Sequence, residues 1–276
     1  MSAAKPFSIK TFWIILLMAS FVINQEKEAV NIYRVEEVGR LKIFAKNDHI
    51  YPVTIEVDFD LKNLTSSRDL PFTGVLKPAA NENILDLVFA KGADGWNYKA
   101  TFKYYMGSIF AKHNDEFTYR LPFKTGKSYK LSQGFYGAHS HQGDLKYALD
   151  FDLGIGDEVY AARDGLVVAL EDKNDRGGPL KKFMKYANFI TIMHKDGTFA
   201  DYSHLMNKGV TVEIGQKIKK GQLIGFSGAT GFATGPHLHF AVKKAKKGGG
   251  YISVPVKFAT KDGIAELQEG QSYIGF

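Results

Sequence analysis

Pro236-His237-Leu238-His239-Phe240 sets two histidines one residue apart in an apolar run. On a β-strand successive side chains alternate faces, so His237 and His239 point the same way, roughly 6–7 Å apart. One imidazole of such a pair can hold a metal ion while the other stands within reach of whatever the ion binds. Six of the eight histidines fall between positions 139 and 239: His139, His141, His194, His204, His237 and His239. A catalytic zinc site takes three ligands from His, Asp or Glu and leaves one position for water. The candidate set here is His141, Asp150 and His239, with His204 and His237 left as acid–base groups. Taken singly, each has a structural reading. Asp150 suits a strand-end hydrogen-bond acceptor, His204 a packed core histidine, and a lone His-x-His an ordinary strand.

The elements that must position these residues read as β-structure. From Gly134 onward glycines punctuate short Val-, Ile- and Leu-rich runs at 159–170, 188–194 and 214–226, which predict short strands joined by tight turns. The segment 214–225 is similar to the hairpin of lipoyl-like barrels. In the first half, Val53, Ile55, Val57, Phe59 and Leu61 alternate with polar residues, and Trp96, Tyr98, Ala100, Phe102, Tyr104 and Met106 repeat the pattern. With the runs at 41–45 and 84–89, this predicts an antiparallel β-sandwich. The fold class is all-β: an N-terminal β-sandwich at 26–120, a C-terminal antiparallel β domain at 121–260 and a tail at 261–276. Ahead of them, Lys5 and Lys10 precede an apolar run at 12–23 broken only by Ser20. That run is shorter than the roughly 20 residues of a membrane-spanning helix and fits a secretory signal, although it lacks a small-x-small cleavage site. Residues 1–25 are therefore read as a signal peptide or N-terminal anchor, and the protein as exported to the periplasm or cell envelope.

Composition narrows the partners. The 276 residues carry a net charge of +7, with 45% hydrophobic and 24% charged residues and no cysteine. That balance belongs to a globular protein. The absence of cysteine excludes disulfides, thiolate metal sites, a cysteine nucleophile and a lipid anchor on an N-terminal cysteine. A basic chain suits an anionic partner such as a cell wall. No RNP-type motif, zinc-finger spacing or long basic helix points to nucleic acid.

The order of motifs is more specific. His141 and Asp150-Phe151 are followed by Gly156-Asp157-Glu158-Val159-Tyr160-Ala161-Ala162 and Asp164-Gly165-Leu166-Val167. Then come Tyr202-Ser203-His204-Leu205, Gly215-Gln216-Lys217-Ile218-Lys219-Lys220-Gly221-Gln222, Gly228-Ala229-Thr230-Gly231 and Thr234-Gly235-Pro236-His237-Leu238-His239-Phe240. Over about residues 134–242 the chain resembles the lysostaphin/LytM family of zinc endopeptidases that cut peptidoglycan. The resemblance implies one zinc ion held by His141, Asp150 and His239, catalytic roles for His204 and His237, and a peptide of peptidoglycan crosslinks or stems as substrate. It also implies a zinc-activated water: His237 would deprotonate or orient it, His204 would stabilise the oxyanion or protonate the leaving amine, and the two roles are exchangeable. Tyr136 and Tyr202 are further oxyanion donors to weigh, against a packed role for each.

One spacing departs from the family. Eight residues separate His141 from Asp150, more than is usual there. Gly156, six past Asp150, fixes the register, so 143–147 reads as a loop between the two ligands, and His139 is a rival first ligand. Two other functions compete. A catalytically inactive relative could regulate or activate another wall hydrolase, but all five site positions hold competent residues. A lipoyl-type carrier would use Lys217 or Lys219 as acceptor and would leave the His and Asp pattern unexplained. The sandwich reads as an accessory domain.

Overall fold

The computed structural model describes residues 29–276. The apolar run at 12–23, and with it the signal or anchor reading, lies outside the described residues. Among those described, no helix is long and apolar enough to cross a membrane. The chain divides into two compact units, one running to His49 and resuming over Thr54–Tyr104, the other holding Ile50–Val53 and Tyr105–Phe276.

The first unit is built from two sheets. Val30–Glu37, Arg40–Asn47, Asn81–Phe89 and Leu64–Ser66 pair antiparallel in that order. Phe72–Leu76, Val53–Lys62 and Asn97–Met106 form a three-stranded sheet. The alternating run at 53–61 buries Val53, Ile55, Val57 and Phe59, as a strand with one face on a core must.

The second unit is organised by a nine-stranded sheet. Across it lie Lys217–Ile218, Gly165–Glu171, Phe189–Met193, Phe199–Ser203, Leu238–Ala245, Leu149–Phe151, Ser128–Gln133 and Ser272–Ile274, with Tyr251–Ser253 on the free flank of Leu238–Ala245. A smaller sheet of Glu158–Tyr160, Leu223–Ser227 and Leu205–Val210 accompanies it. The core between these elements is strongly aromatic: Phe123, Phe151, Tyr202, Phe240 and Phe258 are fully buried. Helical turns in the described residues are limited to two 3₁₀ segments, Gly143–Leu145 and Lys181–Tyr186.

Two stretches fold differently from their reading in the sequence. Residues 105–120 belong to the second unit, where Thr118–Tyr119 pairs in parallel with Lys257–Thr260. Residues 261–276 are woven in rather than trailing. Gly263–Ala265 pairs with Lys257–Thr260, and Ser272–Ile274 forms an antiparallel ladder with Ser128–Gln133. The exposed backbone groups of that edge strand find partners there, which a solvated tail would leave to water.

Candidate metal centre

Strand register builds the floor of the site. Ser203, His239, Asp150 and Gln133 stand side by side on four neighbouring strands. Alternation then sends Leu149, Phe151, Leu238 and Phe240 into the core, each fully buried. Asp150 and His239 are left on the opposite face. Asp150 Oδ1 lies 2.8 Å from His239 Nδ1 and 3.2 Å from His141 Nε2. The ligand atoms of His141, Asp150 and His239 all fall within 4.8 Å of one another, a grouping able to hold a metal ion.

His141 reaches this point from the loop after Ser128–Gln133. It is completely buried, and its Nδ1–H donates to Gly134 O at 2.9 Å. That bond fixes the tautomer and leaves Nε2 unprotonated and aimed at Asp150, with no hydrogen-bond partner of its own. An orphaned buried nitrogen facing a carboxylate oxygen and a second imidazole is what a bound cation would satisfy. Two nitrogens and one oxygen suit zinc, and the set fits the group. Burial opposes the ionised form of Asp150, yet the imidazoles of His141 and His239 beside it outweigh this and hold the carboxyl well below the usual range. Burial likewise opposes charge on His141, and Asp150 more than offsets this, raising its pKa.

His204 and His237 face the same floor. His204 follows the strand Phe199–Ser203 with φ +66°, a left-handed turn that a non-glycine residue adopts only under local constraint. Its Nδ1–H donates to Thr230 O at 2.7 Å. Burial first, then the neighbouring His237 and His239, push its pKa down to about 3. His237 Nδ1–H donates to Gly235 O at 3.0 Å, and its Nε2 stands 3.9 Å from Asp150 Oδ1. The two ring centroids are 4.5 Å apart.

The other sequence candidates separate cleanly. His139 is exposed on the rim and lies outside the converging ligand group. Tyr202 is fully buried, its hydroxyl accepting the Ala162 N–H at 2.8 Å, so it is a core tyrosine. Tyr136 is exposed and pairs its hydroxyl with that of Tyr147 at 3.0 Å. The loop expected at 143–147 is present as the 3₁₀ turn Gly143–Leu145 and its continuation. Sequence reasoning missed Gln133, whose amide meets Asp150. Phase along its strand gives no signal, because the pairing with Leu149–Phe151 shifts register between Leu131 and Gln133.

Residues 144–251 match Peptidase family M23. The chain carries an M23 peptidase domain. The match takes in Asp150, His204, His237 and His239 and opens just after His141. Glycyl-glycine endopeptidase ALE-1 of Staphylococcus capitis is 36% identical over 116 residues, covering 41% of this chain and 29% of that protein. Peptidoglycan DD-endopeptidase ShyA of Vibrio cholerae is 38% identical over 91 residues, covering 33% of this chain and 18% of that protein. The chain thus spans about a third or less of the length of the curated relatives it matches. The solved structure of lysostaphin from Staphylococcus simulans aligns at 33% identity with a TM-score of 0.32, covering 42% of each chain.

A cleft of about 730 Å³ opens over the metal-ligand row of the M23 domain. One wall comes from Met184 and Ala187, beside Phe232 and Ala233. Parallel pairing of Gly177–Gly178 with Gly231–Phe232 draws those segments together. Leu145 also lines the cleft.

Proposed function

We propose that the chain is an exported zinc metalloendopeptidase that hydrolyses peptide bonds in peptidoglycan crosslinks or stem peptides. The observation that carries this reading is the convergence of His141, Asp150 and His239 beneath an open cleft, with two further histidines turned toward the same point. A zinc ion held by the three would supply positive charge that acidifies water and polarises a scissile carbonyl.

The chain's own residues supply the rest. Because His204 and His237 both give Nδ1–H to backbone carbonyls, each presents a neutral Nε2 as an acceptor. His237, whose Nε2 stands 3.9 Å from the Asp150 ligand oxygen, is the base that takes a proton from water. Once protonated, an imidazole of this pair becomes the donor that the leaving amine needs, and proton transfers of this kind contribute roughly 10²–10⁴-fold. The apolar wall of Met184 and Phe232 lines the path of an extended peptide. The relatives, a glycyl-glycine endopeptidase and a peptidoglycan DD-endopeptidase, support a wall peptide as substrate.

Digestion of defined peptidoglycans by the full chain, with mass analysis of released fragments, tests the proposal. New amino termini and the matching shorter peptides are expected from the wild type and not from His237→Ala. Absence of release from every wall type would overturn it.

A further inference from the structure

We infer that Gln133 is a positioning residue of the metal centre, the single amide that fixes Asp150 and the His141 loop relative to one another. The inference rests on the metallopeptidase reading above. Gln133 is buried, and each polar atom of its amide has two partners. Oε1 accepts the backbone N–H of His139 at 2.9 Å and of Ser140 at 3.1 Å. Nε2 donates to Asp150 Oδ2 at 2.7 Å and to Ser140 Oγ at 2.9 Å. Both donor hydrogens and both acceptor sites are therefore used, which also fixes which end of the amide is which.

The geometry explains how a wide spacing between ligands is tolerated. Eight residues lie between His141 and Asp150, so chain continuity does not hold them together. Gln133 grips the backbone just ahead of His141 with one end and the Asp150 carboxylate with the other. It also divides the labour of that carboxylate. Oδ2 is occupied by the amide, which leaves Oδ1 as the oxygen facing His239, His141 and His237 at 2.8, 3.2 and 3.9 Å. Only a side chain that donates at one end and accepts at the other can do this. A glutamate would set a second carboxylate against Asp150.

Space for the amide is reserved elsewhere in the loop. A Cβ at position 137 would meet Gln133 Cγ at 2.2 Å and Cδ at 2.9 Å, so glycine stands there. Gly137→Ala therefore displaces the Gln133 side chain without altering it, and gives a second route to the same effect.

The test uses the full chain. Zinc affinity is measured by competition with a chromophoric chelator, the visible spectrum is recorded with cobalt(II) in the site, and melting of the metal-free protein is followed. Gln133→Met keeps the volume and loses all four hydrogen bonds. It is expected to weaken zinc 10- to 100-fold, the usual effect of losing a partner behind a ligand, and to alter the cobalt spectrum. Gly137→Ala is expected to shift both in the same direction. Wild-type affinity and an unchanged cobalt spectrum in either variant, with the wild type binding zinc, would overturn this inference alone. A wild-type chain that binds no zinc would overturn the metallopeptidase reading and this inference with it.

Discussion

His141, His204 and His237 each surrender Nδ1–H to a main-chain carbonyl, those of Gly134, Thr230 and Gly235. Their chemistry at Nε2 is thus set by backbone and not by side-chain partners. His239 differs, since its Nδ1 is the atom turned to Asp150. His239→Ala or Asp150→Ala is expected to remove bound zinc and activity together. His237→Ala should retain zinc while turnover falls roughly 10²–10⁴-fold. Metal content by mass spectrometry beside a hydrolysis assay checks both, and zinc retained by His239→Ala would strike that residue from the ligand set. These residues were legible in the sequence because few side-chain types bind metal or shuttle protons at neutral pH. Gln133 was not. A glutamine closing the run Tyr129-Lys130-Leu131-Ser132-Gln133 looks like any strand end until pairing sets it beside Asp150.

Alternation made the strands Val53–Lys62 and Asn97–Met106 readable in advance, because period two is imposed by strand geometry itself. The cleft wall was harder to foresee. Lys181–Tyr186 has no periodic apolar face, and its place follows from backbone pairing at Gly177–Gly178. The strand Ser272–Ile274 is also short, with only Tyr273 partly covered, so its sequence carries little sign of a ladder. Backbone approach matters most at Gly228. A Cβ there would meet Met206 N at 2.6 Å and Leu205 C at 2.8 Å, main-chain atoms that cannot swing aside. Gly228 O also accepts the His237 N–H, at 3.3 Å. Gly228→Ala is therefore expected to destabilise the protein by about 1–3 kcal/mol and to lower turnover by moving His237. Thermal melts and hydrolysis rates measure the two effects, and unchanged values of both would refute the packing argument.

For the molecule as a whole, acid stability depends on a histidine remote from the cleft. His194 is buried against Tyr119, and its Nδ1–H donates to Asp164 O at 2.9 Å. Burial pushes its pKa down to about 4. An unfolded histidine titrates near 6.5, so between pH 6.5 and 4 the unfolded chain binds the extra proton and stability drains as pH falls. The loss attributable to this residue reaches on the order of 3 kcal/mol by pH 4. His194→Asn, which keeps a donor toward Asp164, is expected to melt with a shallower pH dependence over that window. Parallel slopes for variant and wild type would contradict it. At this scale the all-β plan was readable from pattern, while the place of 105–120 depended on a parallel pairing with Lys257–Thr260 that no local signal announces. Direct cross-strand pairing of Asp150 with His239 carries one more consequence. A slip of one residue between these strands, 89 positions apart in the chain, would turn Leu238 to the solvent side and His239 inward. A sheet misaligned in this way would part Asp150 from His239 and lose the grouping of ligand atoms around His141.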